Sequence, residues 1–89
     1  MSIKEKAIAY LYTVISELCL HPEDIKIEHT LDERGLVLDV KANNEDLPFL
    51  IGRGGKIANS LRDVLHIYGA RHNCSLKLFI NRKDETNNS

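Results

Sequence analysis

Hydrophobic and polar positions recur along the 89-residue chain with two periods, one typical of helices and one typical of strands. The helical period comes first, from Ser2 to about Cys19. Ser2 and Glu5 have the spacing of a capping box, in which each side chain pairs with a free backbone N–H. Pro22 ends the segment, because proline disfavours the α conformation of the residue before it. The apolar face of this predicted helix consists of Ile3, Ala7, Leu11, Val14 and Leu18, widened by Ile8, Ile15 and Cys19.

An alternating pattern follows and predicts two strands with one polar face each. The four residues 32–35, Asp-Glu-Arg-Gly, contain the residue types that favour a tight turn. Two short alternating segments joined by such a turn are typical of an antiparallel hairpin. The apolar positions are Ile25, Ile27 and Leu31 in the first strand, and Leu36, Leu38, Val40 and Ala42 in the second.

Two helices on either side of a glycine-rich segment are predicted next. Asn43 or Asn44 is suited to cap the first, short helix, and Glu45 and Asp46 favour its first turn. Pro48 lies near that helix start, where a missing N–H costs least. We expect Leu47, Leu50 and Ile51 to face inward.

The second helix of the pair is predicted from about Lys56 to Arg71. Ile67 stands apart from its apolar stripe, and a third alternating strand follows the helix. The stripe consists of Ile57, Ala58, Leu61, Val64, Leu65 and Tyr68, and the strand positions are Leu76, Leu78 and Ile80. The predicted order α-β-β-α-α-β indicates one α+β domain over residues 1–82, with a three-stranded sheet and helices on one face. The polar residues 83–89 predict a disordered tail.

Composition adds a charge asymmetry to this outline. Residues 1–50 hold five Lys/Arg against ten Asp/Glu, whereas residues 51–89 hold seven against three, although the net charge is only −1. This distribution favours a basic face near the glycine-rich segment, although folding could also scatter the charges. No apolar run has the length of a membrane span, and two cysteines are too few for a disulfide framework. We therefore expect a cytoplasmic protein with reduced thiols.

The glycine-rich segment, residues 50–57, reads Leu-Ile-Gly-Arg-Gly-Gly-Lys-Ile. A phosphate loop of the Walker type would need Gly in place of Leu50 and Ser or Thr in place of Ile57. A dinucleotide-binding fingerprint would need a strand directly before the loop, and a helix is predicted there. What remains is I-G-x-x-G between two helices, where exposed backbone and a helix N-terminus favour phosphate.

With its surrounding order of elements, this motif resembles the type II KH domain, and the length resembles the KhpA family of stand-alone bacterial KH proteins. The resemblance implies an RNA-binding protein, of the RNA chaperone or post-transcriptional regulator type, that grips single-stranded RNA by its backbone. It implies a phosphate clamp of Gly52, Arg53, Gly54 and Gly55, assisted by Lys56. Ile51, Ile57 and Val40 would line an apolar groove for bases. No cofactor is implied.

The family also implies dimers, either of one chain or with a larger KH-containing partner linked to cell elongation and envelope synthesis. Tyr12, at the edge of the wide apolar face of the first helix, and Ile67 are the candidate interface residues. A protein-interaction module, in which these apolar surfaces matter more than the loop, is therefore the alternative function.

An enzyme is not indicated, because no nucleophile or acid–base pair has a suggestive spacing. The pairs Cys19/His21 and His72/Cys74 could meet at a metal, but their one-residue gaps are shorter than those of usual zinc sites. We therefore predict no metal.

Overall fold

The fold is taken from a computed structural model that describes residues 2–33 and 35–82. Along the chain it consists of α1 (Ile3–Leu18), β1 (Lys26–Asp32), β2 (Gly35–Ala42), α2 (Leu47–Ile51), α3 (Lys56–Arg71) and β3 (Leu76–Arg82). Single 3-10 turns at Pro22–Asp24 and Arg53–Gly55 precede β1 and α3. The predicted element order is confirmed. The predicted disordered tail, residues 83–89, lies outside the described residues.

Helix α1 begins at the predicted capping box. The Ser2 hydroxyl accepts the Glu5 N–H at 3.2 Å, and the Glu5 carboxylate accepts the Ser2 N–H at 3.4 Å. Ala7, Leu11 and Ile15 are fully buried along one side of the helix, as the apolar period predicts. The face is narrower than the sequence pattern, because Tyr10, Tyr12 and Leu18 remain exposed.

The sheet has the order β1-β2-β3, with β1 antiparallel and β3 parallel to β2. Parallel strands need a long crossover, and α2 with α3 provides it. Alternate residues of β2 point to the helices, so one face of the sheet forms the core, in agreement with the predicted class. The buried residues that form the hydrophobic core are Ala7, Leu11, Ile15, Leu36, Leu38, Val40, Ala42, Leu50, Leu61, Leu65, Leu76 and Leu78.

Three apolar positions of β1 and α3 differ from the prediction. Leu31 is 65% exposed, because β1 is an edge strand and its second half is not covered by a helix. Ile57 and Val64 of α3 are also partly exposed. The buried residues of that helix are Ala58, Leu61, Leu65 and Gly69. The core-facing stripe of α3 is therefore displaced from the predicted one.

Helix α2 begins later than predicted. The side chain of Asn43 accepts the Glu45 N–H at 2.8 Å in a turn, and Asp46 is the N-cap residue of the helix. The prediction that Asn43 or Asn44 caps α2 is wrong, because the turn closed by Asn43 lies before the helix. Pro48 does lie in the first turn, as predicted.

None of the helices within residues 2–33 and 35–82 combines the length and apolar composition needed to cross a bilayer.

Candidate nucleic-acid interface

The loop between α2 and α3 is a tight connection built from glycines. The Gly52 N–H donates to the Pro48 carbonyl at 2.9 Å and ends α2, and the Gly55 N–H donates to the Gly52 carbonyl at 3.1 Å. Gly52 has φ 79° and ψ 170°, a conformation that residues with a Cβ rarely adopt. A Cβ there would also lie 2.5 Å from the side chain of Ile57. The local structure therefore requires glycine at this position.

Glycine is favoured at position 54 for a different structural reason. Its φ of 64° and ψ of 20° fall in the left-handed region, and an added Cβ would meet no atom within 4 Å. The backbone at Gly54 is consequently open to solvent on its Cα side. A phosphate oxygen can approach this backbone without steric hindrance.

Arg53 and Lys56 supply positive charge on either side of Gly54, and both side chains are exposed. Lys56 is the first residue of the 16-residue helix α3, so the positive end of its dipole lies at the loop. Within the part of the chain that the structure describes, neither cation has a carboxylate within 4.0 Å. The charges remain available to an anionic ligand.

A shallow, largely apolar groove adjoins the loop. Its lining residues are Asn44, Leu47, Pro48, Ile51, Gly52, Arg53 and Arg82. Ile51 is 37% exposed, in contrast to the prediction that it faces inward. Ile57, the other predicted aliphatic lining residue on the loop, is 38% exposed. Both side chains are accessible beside the loop.

Val40 does not belong to this surface. It is 0% exposed and packs in the core on the helix side of β2, so a base cannot reach it. The sequence prediction that Val40 lines the groove is therefore wrong. An alternating strand indicates which residues share a face, but it does not indicate which of them remain accessible after the helices have packed.

Arg82 is a groove residue that the site prediction did not include. The parallel register places Arg82 opposite Ala42, at the end of β2 that leads towards α2. The strand pattern predicts β3, but all the predicted RNA-binding residues except Val40 lie within the glycine-rich segment itself. Arg82 could have been predicted from its position at the end of β3, because β3 runs parallel to β2 and β2 leads into α2.

Asp46 connects this region to α1. Its carboxylate is fully buried and accepts the backbone N–H groups of Leu20 at 2.8 Å and His21 at 3.0 Å. Burial, together with the negative charge of Asp46 and a hydrogen bond to it, raises the pKa of the Cys19 thiol to about 11. The two hydrogen bonds accepted by Asp46 hold the start of α2, and with it the loop, against the end of α1.

His21 lies above this connection with carboxylates at both ring nitrogens. Nε2 is 2.9 Å from Glu45 Oε1, and Nδ1 is 3.6 Å from Glu23 Oε2. The hydrogen bond with Glu45 is the main reason that the pKa of His21 is raised, and the charges of Glu45, Asp46 and Glu23 act in the same direction. A protonated His21 thus links the turn after α1 to the turn before α2.

The same region contains one group of potential metal ligands among the described residues. Ligand atoms of His21, Glu23 and Asp24 lie within 4.8 Å of one another. Glu23 is exposed, and Asp24 accepts a hydrogen bond from the Asn43 amide at 2.9 Å. Exposed acidic groups of this kind are common without an ion, so we assign no metal to them. Neither Cys19 nor Cys74 belongs to the group.

The two predicted interface residues lie on different helices. Tyr12 is exposed on α1, beside the cleft between α1 and β1. Ile67 is 66% exposed on α3. Each is a large, mainly apolar side chain that remains partly exposed to solvent in the single chain.

Comparison with known proteins identifies the family. The family model described as KhpA/KhpB, KH domain, matches residues 9–80. The chain belongs to the KhpA/KhpB KH-domain family. The matched range contains the whole glycine loop and lies within the predicted domain of residues 1–82.

Curated relatives agree with this assignment. A protein of Leifsonia xyli subsp. xyli is 38% identical over 52 residues, which cover 58% of this chain and 68% of the relative. A protein of Lactiplantibacillus plantarum is 33% identical over 58 residues, covering 65% and 68%. A protein of Listeria monocytogenes is 26% identical over 70 residues, covering 79% and 92%. Each is named RNA-binding protein KhpA. No solved structure is significantly similar to the chain.

Proposed function

We propose that this chain binds single-stranded RNA, with one or two backbone phosphates held at Gly52–Gly55. The observation that carries the proposal is the open backbone at Gly54 between two exposed cations, Arg53 and Lys56, at the start of α3. Oriented N–H groups, a helix N-terminus and mobile cations together form a site for a phosphate. The relatives named as RNA-binding proteins support RNA as the source of that phosphate.

The groove next to the loop supports a single strand over a duplex. Ile51, Pro48 and Leu47 offer apolar surface to an unstacked base, while Arg82 and Arg53 add two cations to the lining of the same groove. Bases of a perfect duplex are stacked and paired, so they cannot enter this groove without opening the helix. We therefore propose Ile51 and Arg82 as groove residues in addition to the loop, and Ile57, which is not part of the groove lining but is exposed beside the loop, as a neighbouring contact.

The small number of cations sets the expected strength of binding. Two to four phosphate contacts would give a slope of log K against log salt of roughly −1.4 to −2.8 for a single strand. We expect dissociation constants on the order of micromolar at physiological salt. A competition titration in which a perfect RNA duplex binds as tightly as the single strand would contradict the proposed mode.

The decisive variant changes Arg53 and Gly54 together to Asp. Two negative charges then occupy the place proposed for phosphate, and one cation is lost. The left-handed conformation of Gly54 is one that Asp tolerates better than most residues, and nothing lies within 4 Å of its Cβ position. Stability should fall by no more than about 1–2 kcal/mol, whereas RNA affinity should fall at least about tenfold.

A charge-matched control uses Ala70→Asp with Arg71→Asp, at two exposed positions in the last turn of α3. It changes the net charge by the same amount at the other end of the helix. If the loop variant melts normally and still binds RNA as the wild type does, the loop is only a turn and the proposed function is wrong. If both variants lose affinity equally, binding depends on net charge and not on the loop.

We further propose that the chain acts as a cytoplasmic dimer, with itself or with a larger KH-containing partner. The exposed apolar side chains of Tyr12 and Ile67 favour an additional interface. The family description covers both KhpA and KhpB, which supports pairing between such domains. Sedimentation at micromolar concentration should reveal a species of twice the chain mass. A monomer across that range would exclude self-association.

A further inference from the structure

Strand β1 offers an open edge for pairing with another strand. It pairs with β2 on one side, and among the described residues the sheet order has no strand beyond it. The opposite edge of the sheet differs, because Arg62 of α3 donates from Nε to the Leu78 carbonyl of β3 at 3.1 Å. An exposed edge strand is a template for another strand unless its sequence opposes pairing. The sequence of β1 therefore decides what this edge can bind.

We propose that two copies of the chain pair antiparallel through β1, about a two-fold axis at His29 that is perpendicular to the sheet. The proposal rests on the self-association proposed above and specifies where it occurs. The result is one six-stranded sheet, since each copy contributes three strands. The helices of both copies then lie on the same face of that sheet.

The residues of β1 are complementary to themselves in this register. Lys26 of one copy faces Asp32 of the other, Ile27 faces Leu31, and Glu28 faces Thr30. Directly opposite residues have Cβ atoms about 4.5–5.5 Å apart, so opposite charges and apolar pairs stabilise the contact. Because the pairing is two-fold symmetric, every favourable pair occurs twice.

Neighbouring registers lose this complementarity. An axis at Glu28 would place the two Glu28 carboxylates opposite each other, and an axis at Thr30 would place Glu28 opposite Asp32. Like charges in directly opposite positions are destabilising. In the proposed register the two Glu28 side chains are only diagonal neighbours, and each is paired with Lys41 at 3.0 Å.

The same register gives the exposed Leu31 a place to pack. Leu31 lies opposite Leu36, a core residue, so its side chain is on the helix side of the sheet. Ile27, its neighbour in the other copy, lines a cleft between β1 and α1 together with Ile8, Ile25 and Tyr12. Leu31 of each copy would therefore enter the apolar cleft of the other. This single arrangement removes both Leu31 and the cleft that borders Tyr12 from water.

Cysteine pairs test the register directly. His29→Cys should form an intermolecular disulfide under mild oxidation, because the two copies of residue 29 face each other across the axis. Glu28→Cys mixed with Thr30→Cys should crosslink more than either variant alone. The wild-type chain, with half-buried Cys19 and Cys74, gives the background. Absence of a crosslink above that background for His29→Cys would overturn the proposal.

A second comparison distinguishes this edge from the α3 surface. Leu31→Asp should weaken self-association at least tenfold in sedimentation, whereas Ile67→Asp should weaken it far less, because in this register two copies meet at β1 and at the cleft beside Tyr12, and Ile67 is left for the larger KH-containing partner. Both positions are exposed in the single chain, so both variants should melt like the wild type. The reverse result, loss with Ile67→Asp only, would overturn the β1 interface while self-association stands. A wild-type monomer would overturn both, and the RNA titration of the loop variant would be unaffected by either outcome.

Discussion

The buried carboxylate of Asp46 accepts the backbone N–H of Leu20 at 2.8 Å, across 26 positions of sequence. Its second oxygen accepts the N–H of His21, so one side chain pairs two backbone donors where α1 ends. The residue is also the N-cap of α2, the helix that leads into the glycine loop. Asp46 thus fixes the loop relative to α1, and its loss should disturb stability first.

We expect Asp46→Asn to destabilise the protein by about 2–3 kcal/mol. The amide can accept one of the two N–H groups, but its NH₂ group faces the other, which leaves buried donors unpaired. The measurement is urea unfolding followed by circular dichroism. Asp63→Asn, at an exposed position on α3, is the control and should change stability by less than about 0.5 kcal/mol. Equal losses in the two variants would contradict the role assigned to Asp46.

Two glycines of the loop should differ sharply in their tolerance of alanine. Gly52→Ala places a Cβ 2.5 Å from Ile57 Cγ1 and 2.8 Å from the Ile57 backbone nitrogen, so the loop must shift. We expect a loss of about 2–4 kcal/mol for Gly52→Ala. For Gly54→Ala, which meets no atom, the expected loss is about 1–2 kcal/mol from the left-handed conformation alone. Thermal unfolding of both variants tests whether Gly52→Ala is more destabilising than Gly54→Ala, and equal melting temperatures would contradict this prediction.

Stability should depend on pH through His21. Its pKa is raised in the folded protein, chiefly by the hydrogen bond with Glu45, so the folded chain binds the proton more tightly than the unfolded chain. This contribution is present in full below the unfolded pKa, about 6.5, and is lost as pH rises through the raised folded pKa. Melting curves of wild type and His21→Gln should therefore differ more at pH 5.5 than at pH 8. Glu45→Gln should reduce the same pH dependence. A difference in melting temperature that increased with pH would contradict the stabilising role assigned to protonated His21.

Cys19 should react slowly with alkylating reagents. Burial and Asp46 raise its pKa from 9.0 to about 11, which lowers the thiolate fraction at pH 8 about 100-fold. Limited treatment with iodoacetamide, followed by mass spectrometry of the peptide that contains Cys19, measures the rate. The same peptide in 8 M urea, a condition that removes both effects, provides the reference. Similar rates in the folded and denatured chains would contradict this environment for the thiol.

Local sequence patterns predicted the elements well because the interactions that define them are local. The capping box needs only Ser2 and Glu5, and the buried face of β2 follows from alternation at Leu36, Leu38, Val40 and Ala42. The glycine loop is similarly local, since three glycines in four positions leave few regular structures available.

The features that the sequence did not predict depend on distant partners. Nothing near Asp46 in sequence indicates that its partners are the N–H groups of Leu20 and His21, so it was expected only in the first turn of α2. Strand alternation shows on which face of β2 Val40 lies, but it cannot show that the helices cover that face. The prediction that Val40 lines the groove fails for this reason. Strand alternation does not place Arg82 in the groove either, because its position there depends on the parallel pairing with Ala42.

This parallel pairing also determines when the groove can form. Strand β3 joins β2 only after the hairpin and both crossover helices have been synthesised, and closing such long-range contacts is slow. The loop and α2 precede Arg82 in the chain, so a growing polypeptide exposes the glycines before the last groove residue is available. A nascent chain therefore carries the glycine loop before the groove proposed for bases is complete. In the proposed binding mode, contact with a base would begin only when β3 has docked, later than any contact between the loop and a phosphate.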